Sequence, residues 1–168
     1  MIYVDLQLKP GDVFCTENVA FLGRAINFVQ KLWQKDNKCT YSHAGFMIGP
    51  EATFEALWTV KSQNIYEAYK GKFVLIARHE KMDDEVFDLA FEKIVHYSGD
   101  WYPVHRLLLH MIPPLAKLSF GFVTCSELTA KFLYRAFILD FWKGMNPADL
   151  EDILKNYKGW TIIYEGTL

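Results

Sequence analysis

The chain has few cysteines and no paired spacing among them: Cys15, Cys39 and Cys125 make an odd set without a Cys-x-x-Cys motif. That excludes a zinc ribbon and a disulfide framework, and fits reduced thiols in a cytoplasm. Cys39 and His43 stand four apart, but in an extended stretch that spacing separates them by about 13 Å of rise, too far to share a metal. There is also no excess of charge. A formal charge of -2 and a pI near 6.2 offer no basic field to hold a polyanion, so nucleic acid is not an expected partner.

Long uninterrupted apolar runs are missing as well. The most apolar stretch, residues 101–123, is broken by His105, Arg106, His110, Pro113, Pro114 and Lys117, too many breaks and charges for a bilayer span. No basic segment followed by an apolar one marks the first residues as a secretory signal, and the expectation is a cytoplasmic protein without an integral membrane span. What the chain has in abundance is aromatic residues, 16% of its 168 positions. With 51% hydrophobic residues this predicts one well-filled domain over residues 1–168, with a thick core or an apolar groove.

Local patterns place the elements. Lys9-Pro10-Gly11-Asp12 reads as a turn before a short strand at Val13-Phe14-Cys15. Residues 19–34 carry apolar positions at helical spacing. A strand from His43, a turn at Gly49-Pro50-Glu51 and a return from Thr53 through Trp58 make a hairpin, closed by a polar break at Lys61-Ser62-Gln63-Asn64. The apolar run between Lys72 and His79 reads as an interior strand. A helix follows from Asp83-Asp84-Glu85 to near Ser98-Gly99, with Val86, Leu89, Ala90, Ile94 and Val95 as its buried stripe. Thr124 or Ser126 caps a further helix running to about Phe137, Asn146-Pro147 opens another, and Trp160 to Tyr164 is a final strand. Strands and helices do not alternate strictly, which favours an α+β layout with a mostly antiparallel sheet.

One position carries the chemistry. Cys125 falls in the first turn of its helix, where the N-terminal dipole favours the thiolate, the reactive form. A thiolate nucleophile requires a base that later protonates the leaving group, and His43 on a strand among the small residues Ser42, Ala44 and Gly45 suits that role. A carboxylate that fixes the imidazole tautomer is available in Glu55 on the returning strand. Parity decides whether it reaches: with Ile48 opposite Ala52, Glu55 falls opposite Gly45, one diagonal step from His43 at about 7 to 8 Å between Cα atoms. An odd register turns Glu55 away to the solvent. Glu127 reads as a dipole partner or buried hydrogen-bonding group. The Cys125 N–H is a ready oxyanion donor, with Ser42 or Tyr41 as second donors.

Four stretches, Pro10-Gly11-Asp12-Val13-Phe14, Tyr41-Ser42-His43-Ala44-Gly45, Phe54-Glu55-Ala56 and Thr124-Cys125-Ser126-Glu127-Leu128, occur in this order. In them the chain resembles the permuted papain-fold cysteine hydrolases of the NlpC-type superfamily, the YiiX-like group related to lecithin:retinol acyltransferases. The resemblance implies a circularly permuted papain-like fold, a mostly antiparallel sheet or partial barrel packed against helices. It implies Cys125 as nucleophile, His43 as base and Glu55 as orienting residue, without a cofactor or a metal. The implied substrate is a small peptide, an amino-acid amide or an acyl-lipid, the last with peripheral lipid contact. The expected activity is amide-bond hydrolysis through an acyl-enzyme. The alternatives are a lipid acyltransferase or thioesterase on the same triad, with residues 101–122 as a binding wall or lid, and a non-catalytic peptide- or lipid-binding module.

Overall fold

The computed structural model describes residues 6–17, 41–57, 59–100 and 124–168. The helix expected over residues 19–34, the segment 101–122, Cys39 and Trp58 lie outside the described residues.

Six strands form one sheet: β1 (Val13–Thr16), β2 (His43–Met47), β3 (Ala52–Ala56), β4 (Val60–Asn64), β5 (Phe73–His79) and β6 (Trp160–Thr167). Their order is β4-β3-β2-β1-β5-β6 and every described pairing is antiparallel, so the α+β layout holds and the sheet is open rather than a closed barrel. The turn before β1 depends on Gly11, whose φ of +88° is a left-handed conformation that side chains resist. Asp12, buried in that turn, takes a two-pronged contact from Arg78 of β5, with Nε and Nη2 each 2.7 Å from a carboxylate oxygen.

Four helices complete the described fold: α1 (Ile65–Ala68), α2 (Asp84–Glu92), α3 (Cys125–Arg135) and α4 (Pro147–Asn156). Their starts follow from their caps. The Asn64 side chain accepts from the Tyr66 and Glu67 amides, and Asp83 accepts from the Val86 amide. Thr124 with Glu127 and Asn146 with Asp149 form reciprocal capping boxes, the second with proline in the first turn.

The alternation of β1 and β2 divides the apolar residues between the two faces of the sheet. On one face Val13, Cys15, Ala44, Phe46, Phe54 and Leu75 pack with α2, α3 and α4. The Phe46 and Phe132 rings stack there at 4.0 Å, and Phe54 meets Phe91 edge-on at 5.3 Å. The high aromatic content thus fills a core. On the other face Phe14, Met47, Val74 and Ile76 pack with Ile65 and Tyr69 of the α1 turn.

Two expectations need correction. The stripe of α2 is Phe87, Ala90 and Phe91, at i, i+3 and i+4, with the expected Ile94 buried just beyond its end, whereas Leu89 and Val95 are 57% and 42% exposed. The helix ends at Glu92 and a 3-10 turn, Val95–Tyr97, follows, so the 3.6-residue phase does not extend to Val95. The polar stretch after Trp58 is not a break but the edge strand β4, paired with β3 from Ala52↔Asn64 to Ala56↔Val60. An edge strand forms on backbone hydrogen bonds and needs no apolar pattern of its own.

Candidate active site

The β2–β3 ladder pairs Phe46 with Phe54 and Met47 with Thr53, and the Ile48 amide bonds the Ala52 carbonyl at 2.8 Å. One step further this even register sets Glu55 against Gly45, on the same face as His43. Glu55 Oε2 lies 2.6 Å from His43 Nε2. With Nε2 so engaged, Nδ1 is the ring nitrogen left for the thiol.

Cys125 arrives from the helical layer. It is the first residue of α3, directly after the Thr124 cap, and its thiol lies beside the His43 ring and the backbone of Ala44 and Ser126, near enough for all three to favour the thiolate. His43 belongs by parity to the face of Phe14 and Met47, and Cys125 to the opposite face, where Ala44 and Phe46 pack. The two meet because each stands at the very start of its element, where the chain can be reached around the strand end.

The electrostatics follow from burial and proximity. Burial opposes a charged imidazolium, but the Cys125 thiolate beside it, with hydrogen bonds to Cys125 and Glu55, outweighs that and raises His43 from 6.5 to about 10. Burial likewise pushes the Cys125 thiol up, and the His43 charge with the His43, Ala44 and Ser126 hydrogen bonds brings it below its ordinary 9.0. The arrangement therefore favours a thiolate–imidazolium pair. Glu55, fully buried, would also be driven upward, yet hydrogen bonds and charge from His43 and donations from Thr53 and Tyr69 hold it below the usual carboxylate range.

Three residues of this cradle went unrecognised in the sequence. Thr53 Oγ1 donates to Glu55 Oε1 at 2.5 Å and Gln63 Nε2 to the same oxygen at 3.0 Å, while the Tyr69 hydroxyl donates to Oε2. Thr53 was findable, since it lies two residues before Glu55 and so shares its face. Gln63 and Tyr69 required β4 and the α1 turn after it. The loop beyond α3 also braces the nucleophile: Ser126 Oγ donates to the Met145 carbonyl at 2.7 Å, and the Gly144 amide donates to the buried Glu127 carboxylate at 3.0 Å. Glu127 is thus the hydrogen-bonding group expected of it. Tyr41, considered as an oxyanion donor, instead donates its hydroxyl to Glu165 of β6 at 3.2 Å.

With this geometry in hand, one solved structure is informative. The chain shares the fold of the crystal structure of metalloprotein YiiX from Escherichia coli O157:H7, with a TM-score of 0.63 over 96% of this chain and 99% of that one, at 16% identity. No protein-family model matches the chain, and no curated protein matches it by sequence. At this identity the YiiX-like fold is what the two have in common. Among the described residues no three His, Cys, Asp or Glu side chains converge as a metal-ligand set. The Glu55 oxygens already face His43, Thr53, Gln63 and Tyr69, so this donor set does not fit a metal. Among the described residues no helix is long and apolar enough to cross a membrane.

Proposed function

We propose that the protein is a cysteine hydrolase of amide bonds, with Cys125 as nucleophile, His43 as general base and acid, and Glu55 as the group that orients His43. The observation that carries this reading is the buried line Cys125 Sγ, His43 ring, Glu55 Oε2, with 2.6 Å between its last two members. Such a line suits nucleophilic catalysis better than packing, because a buried, ion-paired site costs desolvation that an apolar cluster would not.

The thiolate attacks the substrate carbonyl carbon, and the oxygen charge that develops faces the Cys125 N–H at the helix start, outside the helical hydrogen-bond ladder. Collapse breaks the C–N bond, and the His43 imidazolium gives its proton to the departing amine. A thioester now joins the acyl group to Cys125. His43, again neutral, takes a proton from water, whose oxygen attacks the thioester carbonyl and releases the carboxylic acid and the thiolate. The order His43, Glu55, Cys125 is that of the circularly permuted papain-like NlpC-type enzymes, which the chain resembles in its motifs.

The test is to trap the acyl group. The protein is exposed to a peptide library and, separately, to a lipid extract, quenched in acid, and the Cys125 peptide is weighed by mass spectrometry. A peptidyl adduct on Cys125, absent from Cys125→Ala, supports the amidase. A fatty-acyl adduct replaces it with an acyltransferase or thioesterase, and no adduct from either source reduces the site to a binding module.

A further inference from the structure

We propose that Tyr69 is a positioning residue for the His43–Cys125 pair, its hydroxyl holding the Glu55 oxygen that faces the His43 ring; the proposal rests on the triad reading above. The two carboxylate oxygens of Glu55 have different partners. Oε1 takes Thr53 and Gln63, whereas Oε2 takes Tyr69 and His43. Tyr69 is therefore the neutral donor on the oxygen that orients the imidazole.

The phenol is itself fixed. Tyr69 follows α1, the single turn that Asn64 caps and that brings the chain back over the sheet from β4. Its ring packs on Phe14 at 5.4 Å and beside His43 at 6.2 Å, and Gln63 Nε2 donates to its hydroxyl at 3.5 Å. A phenylalanine would occupy the same space against Phe14, so the hydroxyl answers to Glu55 rather than to packing. Burial and the Glu55 charge push the Tyr69 phenol far above its ordinary value, which keeps it a neutral donor at every working pH. Among the described residues, the titratable groups that hydrogen-bond Glu55 are His43 from β2 and Tyr69, and Cys125 from α3 acts on those two. Lys61, the cross-strand partner of Glu55 on β4, is exposed.

Without the phenol a fully buried carboxylate loses one donor to its ionised form, so it protonates at higher pH and withdraws its charge from His43. The Cys125 thiolate then needs a higher pH to form. The experiment is the pH dependence of Cys125 alkylation by iodoacetamide, read by peptide mass mapping, in the full chain, Tyr69→Phe, Glu55→Gln and the double variant. Tyr69→Phe is expected to move the acid limb up by about one pH unit, a roughly tenfold slower reaction within the limb, with the alkaline plateau unchanged. In the Glu55→Gln background the same change should produce no shift. An acid limb of Tyr69→Phe that coincides with the wild type, even with lowered thermal stability, overturns the proposal. If Tyr69→Phe does not fold, 3-fluorotyrosine at position 69, a stronger donor of nearly the same shape, should move the limb down, and no movement overturns it equally. A wild-type Cys125 that titrates as an ordinary thiol removes the triad and this role together.

Discussion

A methyl group placed on Gly45 would lie 2.9 Å from the Cβ of Glu55 and 2.6 Å from the Phe14 ring. The glycine therefore allows β3 and β1 to close on β2 from either side, and this close approach brings the carboxylate within reach of His43. Gly45→Ala should lower stability by about 1–3 kcal/mol through overpacking and slow Cys125 alkylation, because the strain falls on the strand that carries Glu55. Denaturant unfolding with parallel alkylation rates checks this. A variant as stable and as reactive as the wild type would refute it.

The ion pair gives Cys125 a reactivity unlike that of the other thiols. Iodoacetamide at neutral pH is expected to label Cys125 much faster than Cys15, which is fully buried on β1, or Cys39. His43→Ala should slow Cys125 by about tenfold or more, since an unassisted thiol is only a few per cent thiolate at that pH. Equal labelling of all three cysteines would point to a binding module.

Turnover should follow the window in which the pair exists. The thiolate forms above the depressed Cys125 value, below 9.0, and the imidazolium persists until pH rises to about 10, where its proton is lost. A pH–rate profile should thus have its acid limb below 9.0 and fall on its alkaline side near 10. A single limb near 6.5 would indicate a histidine with no thiolate partner.

Glu55→Gln replaces an acceptor pair that meets four donors with one acceptor and one NH₂. The new NH₂ group faces a donor, so the variant should lose about 1–3 kcal/mol of stability and, with the imidazole tautomer no longer fixed, about 100-fold or more in kcat. The pH sign is defined. Glu55 lies below 4.5 when folded, so its contribution is present above 4.5 and disappears as pH falls through the folded value. Thermal melts between pH 3 and 6, on the order of the carboxylate range, should show this acid sensitivity in the wild type and less of it in Glu55→Gln.

The hairpin was legible because it is local, whereas its register stayed open between even and odd pairing, and only the ladder itself makes it even. A three-residue turn with Ile48 against Ala52 fixes which residues share a face, and β-strand alternation then carries Glu55 to the side of His43. Helix starts were legible too, since Asp83, Thr124 and Asn146 satisfy amides only two or three residues away. β4 was not, because Lys61, Ser62 and Gln63 owe their extended form to β3 beside them. Leu89 and Val95 were misplaced for a related reason: which of two adjacent helical stripes is buried depends on what the helix packs against, here Phe46, Phe54 and Phe132.

By itself, then, the sequence determined most of the elements, the starts of three helices and the presence of a thiol, an imidazole and a carboxylate in chemically suitable local settings, and it left the hairpin parity open. These follow from interactions within a few residues, which backbone geometry and side-chain type suffice to specify. Only the tertiary structure decided that the α3 terminus meets the start of β2 from the opposite face of the sheet, and that Gln63 and Tyr69 close over Glu55. Those contacts join distant segments, and the packing of the two apolar faces sets where the segments stand.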